Sequence, residues 1–218
     1  MPREQYQAKL EGLRDNVLYM SELVAERLRM GLDALEQQDA ELGEEVITGD
    51  AEINDLYLEL EGKCTDLIAL QQPVAGDLRF IAASFKIITD LERIADLATN
   101  LGEYAKQADR EVFPDVDVQH IGDETLAMLD DAMAAYAESN PEHCFAVAEA
   151  DDEVDAACEA ASELVVRDLI ERDTLREDED VEGTMRNVSR LLLTIRDLER
   201  VGDHAVNIAA RSLYMIEN

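Results

Sequence analysis

The feature that most constrains this chain is that it repeats itself. Residues 197–207 (Asp-Leu-Glu-Arg-Val-Gly-Asp-His-Ala-Val-Asn) restate residues 90–100 (Asp-Leu-Glu-Arg-Ile-Ala-Asp-Leu-Ala-Thr-Asn), with seven of eleven positions identical at a fixed offset of 107. The echo reaches upstream, because Gly76 falls on Gly183 and Arg79 on Arg186. A repeat of this length fixes architecture before any local reading does. It implies two copies of one unit, spanning residues 1–112 and 113–218, in a chain of 218 residues.

The apolar pattern says what that unit is. Leu78, Ile81, Phe85 and Ile88 in one copy, and Met185, Val188, Leu192 and Ile195 in the other, recur at threes and fours, the spacing of one helix face. Leu10, Leu13, Val17, Met20, Val24, Leu28, Leu32 and Leu35 predict a first long helix over about 3–38. Asp39 is placed to cap a second helix, which runs to about residue 70 through Val46, Ile53, Leu56, Leu60, Cys64 and Leu67 and stops before Pro73. A third carries the motif to about residue 108. Residues 109–119, with Pro114 and alternating Val and Asp, read as the linker between copies. The pattern then restarts with a shorter fourth helix, a fifth opened by Asn140-Pro141, a charged turn at 173–180, and a sixth helix to the end. The expected fold is all-α: two three-helix bundles related by a pseudo-two-fold axis.

Within each motif the polar residues form a row. Glu92, Asp96 and Asn100 stand at i, i+4 and i+8, as do Glu199, Asp203 and Asn207, so each set shares one helix face. Stacked carboxylates repel unless a cation separates them, and keeping the arrangement in both copies points to bound metal. A second acidic echo lies on the middle helices, where Asp50-Ala-Glu-Ile-Asn54 matches Asp151-Asp-Glu-Val-Asp155. Asp50 with Asn54, and Asp151 with Asp155, would complete the oxygen-rich sites if their helices pack against the motif helices. In that arrangement the motif acids face inward, towards a neighbouring helix. With 51 acidic residues in the chain, any single i,i+4 pair is unremarkable, so the weight falls on recurrence in one frame. Oxygen donors suit Mg, Mn, Ca, Fe or Zn. Arg93 and Arg200 are placed to bridge neighbouring carboxylates, with phosphate binding the weaker alternative. His204, opposite Leu97 in the other copy, supports the site rather than ligating in it.

The obvious enzyme alternative is a carboxylate-bridged metal enzyme of ferritin-like type. That class uses Glu-x-x-His, whereas His204 follows Glu199 by five residues and the first copy has no histidine. No nucleophile with a base and no glycine-rich phosphate loop is present, so catalysis is not expected. Cys64, Cys144 and Cys158 fall at apolar helix positions and read as reduced core residues. No apolar run approaches the ~18 residues of a membrane span, and the N-terminus does not read as a signal peptide, so a cytoplasmic protein without membrane insertion is expected. The net charge of −32 opposes nucleic-acid binding. It also opposes compaction at low salt, which predicts a salt-adapted, halophilic protein, the alternative being an ordinary acidic one.

Two copies of Asp-Leu-Glu-Arg-Ile/Val-x-Asp-x-Ala-x-Asn, each closing a three-helix unit, resemble the PhoU family, accessory proteins of the phosphate-specific transport system. The resemblance covers essentially the whole chain. It implies iron or zinc held by Glu92, Asp96, Glu199 and Asp203 with Asp50, Asp151 and Asp155, and a weaker site where Asn54 replaces an acid. It further implies homodimerisation and negative regulation of phosphate uptake and of the starvation response. The implied partners are the ATPase subunit of a phosphate ABC transporter and, in bacteria, a sensor kinase.

Overall fold

The computed structural model describes residues 3–71, 73–107, 116–173 and 181–217. Six helices follow one another among these: α1 Arg3–Gln37, α2 Ala40–Gln71, α3 Ala75–Lys106, α4 Val118–Glu138, α5 Pro141–Asp173 and α6 Val181–Glu217. No strand occurs among the described residues. The all-α expectation is met, and the helix ends agree closely with those read from the pattern. The inter-repeat linker is shorter than expected, since α4 already begins at Val118. Residues 108–115 and 174–180, most of that linker and of the charged turn, lie outside the described residues.

Local chemistry sets the breaks. Asp39 caps α2, its Oδ1 accepting from the amides of Glu41 at 2.9 Å and Leu42 at 3.1 Å. Just before it, Gln38 takes a left-handed conformation with φ of 53°, which ends α1 sharply. Asp117 caps α4 through the His120 amide. Ser139, at φ 55°, closes α4, and Asn140 then caps α5 through the Glu142 amide at 3.1 Å with Pro141 as first helical residue.

Each repeat is a trio of mutually packed helices, α1–α2–α3 and α4–α5–α6, joined by α3 against α6 and α1 against α4. α1 runs alongside α3 in the same direction, with Arg14 over the Phe80 ring and Gly31 against Ala98 and Leu101. α2 returns antiparallel, bringing Gly43 onto Gly102 and Glu44 to Lys106. The buried apolar residues of both trios form one continuous core rather than two. Each leucine or isoleucine removed from water there contributes about 1.5–3 kcal/mol. At the α1–α3–α4 junction, Tyr136 is fully buried, bonded to the Ser84 hydroxyl at 2.8 Å and stacked on Phe80.

Two expected core residues depart from the pattern. Leu78 and Met185, equivalent in the two copies, are 41% and 50% exposed, while Phe85 and Leu192 are half-buried. Helical spacing put all four on the core face, yet at the N-terminal ends of α3 and α6 that face has turned partly to solvent. The three cysteines are buried free thiols, as expected. Burial pushes the Cys64 thiol up to about 11 and Cys158 to about 12, the latter also raised by Glu199 and Asp155.

Candidate functional site

The acidic rows lie on two seams, one in each repeat. On the first, α2 brings Asp50 and Asn54 against the face of α3 that carries Glu92 and Asp96. Asn54 Nδ2 donates to Asp50 Oδ2 at 2.6 Å, fixing that carboxylate one turn back on the same helix. Its other oxygen, Oδ1, is buried without a hydrogen-bond partner. Glu92 is half-buried and Asp96 reaches solvent. The carboxyl of Glu92 is pushed up by burial first and then by the charges of Asp96 and Asp50, with Arg93 working the other way. Asp96 is likewise raised by the desolvation its neighbours impose and then by Asp50, and is opposed by Arg200 from the other repeat.

The second seam repeats the plan with a full set of acids. Asp151 and Asp155 on α5 meet Glu199 and Asp203 on α6. Asp151 is half-buried and the other three are exposed. Burial raises the Asp151 carboxyl, followed by the charges of Asp155, Asp203, Asp152 and Glu199. A side chain at Gly202 would come within 3.7 Å of Asp151 Oδ1, so that carboxylate lies close over the α6 backbone. The motif acids thus flank a neighbouring helix but sit at the rim of the seam rather than in its interior.

The donor chemistry fits a hard cation: carboxylates, joined on the first seam by the Asn54 amide, with one buried Asp50 oxygen left unbonded. The spacing is open. Among the described residues no three His, Cys, Asp or Glu side chains converge on a point where they could hold an ion. Ligation would therefore require the carboxylates to turn towards one another from their present rotamers. Among the described residues α2 and α5 make no contact, so the two rows do not meet in the shared four-helix interior of ferritin-like carboxylate proteins.

The remaining motif residues go elsewhere, and the sequence reading missed where. Asp90 and Asp197, the first residue of each motif copy, are both buried in the interface between repeats. His204 Nδ1 pairs with Asp90 Oδ1 at 2.9 Å. Asn100 Nδ2 and the Tyr104 hydroxyl donate to Asp197 Oδ2 at 3.1 and 2.9 Å. These contacts run α3 antiparallel to α6. Burial, and then the bond to Asp197, push the Tyr104 hydroxyl up to about 12. Arg200 Nη1 lies 3.7 Å from Asp197 Oδ1, and Arg93 is exposed beside Glu92. Asn100 and His204 therefore tie one repeat to the other, whereas Asn207 is half-buried on α6. The signal that could have found Asp90 and Asp197 was present, an aspartate held in frame in both copies and flanked by apolar residues.

Comparison with known proteins matches both halves. A family model for the PhoU domain covers residues 17–105 and 118–212. A phosphate-specific transport system accessory protein PhoU homolog from Methanothermobacter thermautotrophicus is 36% identical over 99% of this chain and 95% of its own length. The phosphate-specific transport system accessory protein PhoU of Escherichia coli is 30% identical over 98% of this chain and 86% of its own. The crystal structure of PhoU from Pseudomonas aeruginosa superposes with a TM-score of 0.88 at 30% identity, covering 97% of this chain and 98% of that one. The phosphate transport system regulatory protein PhoU of Streptococcus pneumoniae gives 0.85 at 26% identity, over 96% of each chain. With the domain matched in each repeat and relatives aligned end to end, this chain belongs to the PhoU family.

Proposed function

We propose that this protein is a cytoplasmic accessory regulator of phosphate uptake, which restrains a phosphate ABC transporter by docking on its ATPase subunit. The observation that carries this reading is the end-to-end likeness, 36% identical over 99% of the chain, to a protein named as an accessory of phosphate-specific transport. The acids support a regulatory part rather than turnover. They lie at the rims of two seams, which suits ion-dependent adjustment of helix packing. In this reading Asp50, Glu92 and Asp96 hold a metal ion on one seam, and Asp151, Asp155, Glu199 and Asp203 hold another. The ion would neutralise carboxylates that now repel. Homodimerisation and a sensor kinase as a further partner belong to the same proposal.

Deleting the gene and following phosphate uptake tests it. Uptake should no longer fall when phosphate is replete, and the full-length chain supplied in trans should restore that fall. Unchanged uptake under both replete and starved conditions would overturn the assignment.

A further inference from the structure

The chain carries 51 acidic residues against 19 basic ones, so a cation on its surface has carboxylates to pair with almost anywhere. Several do pair: Arg27 with Glu52, Arg29 with Asp130, Lys63 with Glu59, and Lys106 with Glu44. One face departs from this. Along α3, positions 75, 79, 82, 86, 89 and 93 share a side and read Ala, Arg, Ala, Lys, Thr, Arg, with no acid among them. The bond of Asp90 to His204 sets the antiparallel register of α3 and α6. Seven residues beyond His204 is Arg211, which that register puts opposite residue 83, between Arg79 and Lys86. Among the described residues Arg79, Lys86 and Arg211 make no ion pair. The Nε groups of Arg79 and Arg211 are both buried and have no acceptor.

A guanidinium N–H withdrawn from water without an acceptor is costly, and here it happens twice on one face. The pseudo-symmetry shows that the fold does not demand it. At the equivalent positions the other copy keeps only Arg186, with Leu193 for Lys86 and Tyr104 for Arg211. Arg79 and Lys86 lie about 10 Å apart along the axis at 1.5 Å per residue, too far to converge on one small anion but matched to carboxylates two turns apart on a facing helix. We infer that the Arg79–Lys86–Arg211 face is a docking surface for an acidic helical segment of a partner protein. Half-buried guanidinium groups suit this in concentrated salt, because desolvated charges are screened less than exposed ones. The inference stands whether or not that partner is a transporter subunit.

The test uses the full chain and a fluorescein-labelled helical peptide bearing glutamate at every seventh position, read by anisotropy at about 0.5 M KCl to screen general repulsion. Wild type should bind it saturably and the glutamine version of the peptide at least about tenfold more weakly. Arg79→Gln/Lys86→Gln/Arg211→Gln should lose about tenfold or more. Arg29→Gln/Lys63→Gln/Lys106→Gln, which removes the same charge elsewhere, should bind as wild type does. Circular dichroism checks helicity, and Lys86→Glu, a reversal at an exposed site, serves if the triple variant fails to fold. No saturable binding, or equal binding by both triple variants, overturns the inference. So does displacement by equimolar inorganic phosphate, which would mean a small-anion site. Self-association of wild type that the first triple variant loses, seen by light scattering, would name a second copy as occupant and overturn it as well.

Discussion

Asp90 and His204 belong to different repeats, lie 114 residues apart in sequence, and are bonded at 2.9 Å with their side chains only 9% and 10% exposed. The pseudo-symmetric partner of this contact is not a copy of it. Asp197 stands where Asp90 does but is served by Asn100, Tyr104 and Arg200, because Leu97 occupies the position of His204. The two copies thus share the buried acid but supply it with different donors. Burying an acid in an interface is costly unless donors meet it, so these donors contribute, beside the continuous apolar core, to how firmly the repeats hold together.

The first prediction follows from that pair. Leucine already fills the equivalent site as Leu97, so His204→Leu should be accommodated sterically while leaving the Asp90 carboxyl buried without its partner. The cost should be about 1–3 kcal/mol, the usual penalty for an orphaned buried polar group. Replacing both, as Asp90→Leu/His204→Leu, should recover most of the loss. Urea unfolding midpoints decide it: a single substitution as stable as wild type would mean that the bond contributes nothing.

How much of this was legible beforehand differs from element to element. The helices could be read because Leu10 through Leu35 and Val46 through Leu67 keep strict helical spacing, which depends only on neighbours in sequence. Asp39 as a cap is equally local. The acids could be located but not oriented, since whether Asp96 faces a partner helix or water depends on how α2 lies over α3. Asn100 and His204 could not be placed at all, because their partners are fixed by the antiparallel crossing of α3 and α6. Leu78 and Met185 show the converse limit: spacing names a face, and tertiary packing decides how far along the helix that face is covered.

A second prediction concerns a close approach of α2 to α3 at two glycines. A Cβ added at Gly43 would lie 2.7 Å from the Gly102 carbonyl oxygen, and one at Gly102 would lie 2.8 Å from that of Gly43. The obstacle is backbone, which cannot swing aside as a side chain would. Gly102→Ala should therefore force the helices apart and destabilise by about 1–3 kcal/mol, although the second repeat carries Ala209 at the equivalent position. Thermal unfolding of Gly102→Ala beside Gly62→Ala, where a Cβ meets nothing within 4 Å, gives the comparison.

The third prediction is a pH dependence with a definite sign. Glu92, Asp96 and Asp151 have carboxyls raised above their ordinary values of 4.5, 3.8 and 3.8. The folded chain then binds more protons than the unfolded one between the ordinary and the raised value. Stability from these groups is therefore lost as pH rises through that window and regained as it falls. At low ionic strength without divalent ions, the melting temperature should climb on mild acidification before general acid denaturation sets in. Asp50→Asn should flatten that climb, because Asp50 is a source of repulsion on both Glu92 and Asp96. Divalent metal at neutral pH should stabilise wild type and do less for Asp50→Asn/Glu92→Gln. A melting temperature indifferent to metal in both would remove the cation from the first seam.

The last prediction turns on total charge. At −32 the folded chain concentrates charge that the unfolded chain spreads out, so self-repulsion weighs against folding until salt screens it. The Debye length falls from about 10 Å at 0.1 M to about 3 Å at 1 M, less than the reach of neighbouring surface carboxylates. Melting temperature should accordingly keep rising with KCl into the molar range. Surface ion pairs work against this trend, since screening weakens Lys63–Glu59 and its like, but each is worth only about 0–1 kcal/mol. Potassium chloride is the informative salt, because sulfate would also strengthen apolar burial and blur the cause. A melting temperature that levels off by about 0.2 M, where the Debye length is already below 10 Å, would mean that the acidity is ordinary surface charge and not an adaptation to brine.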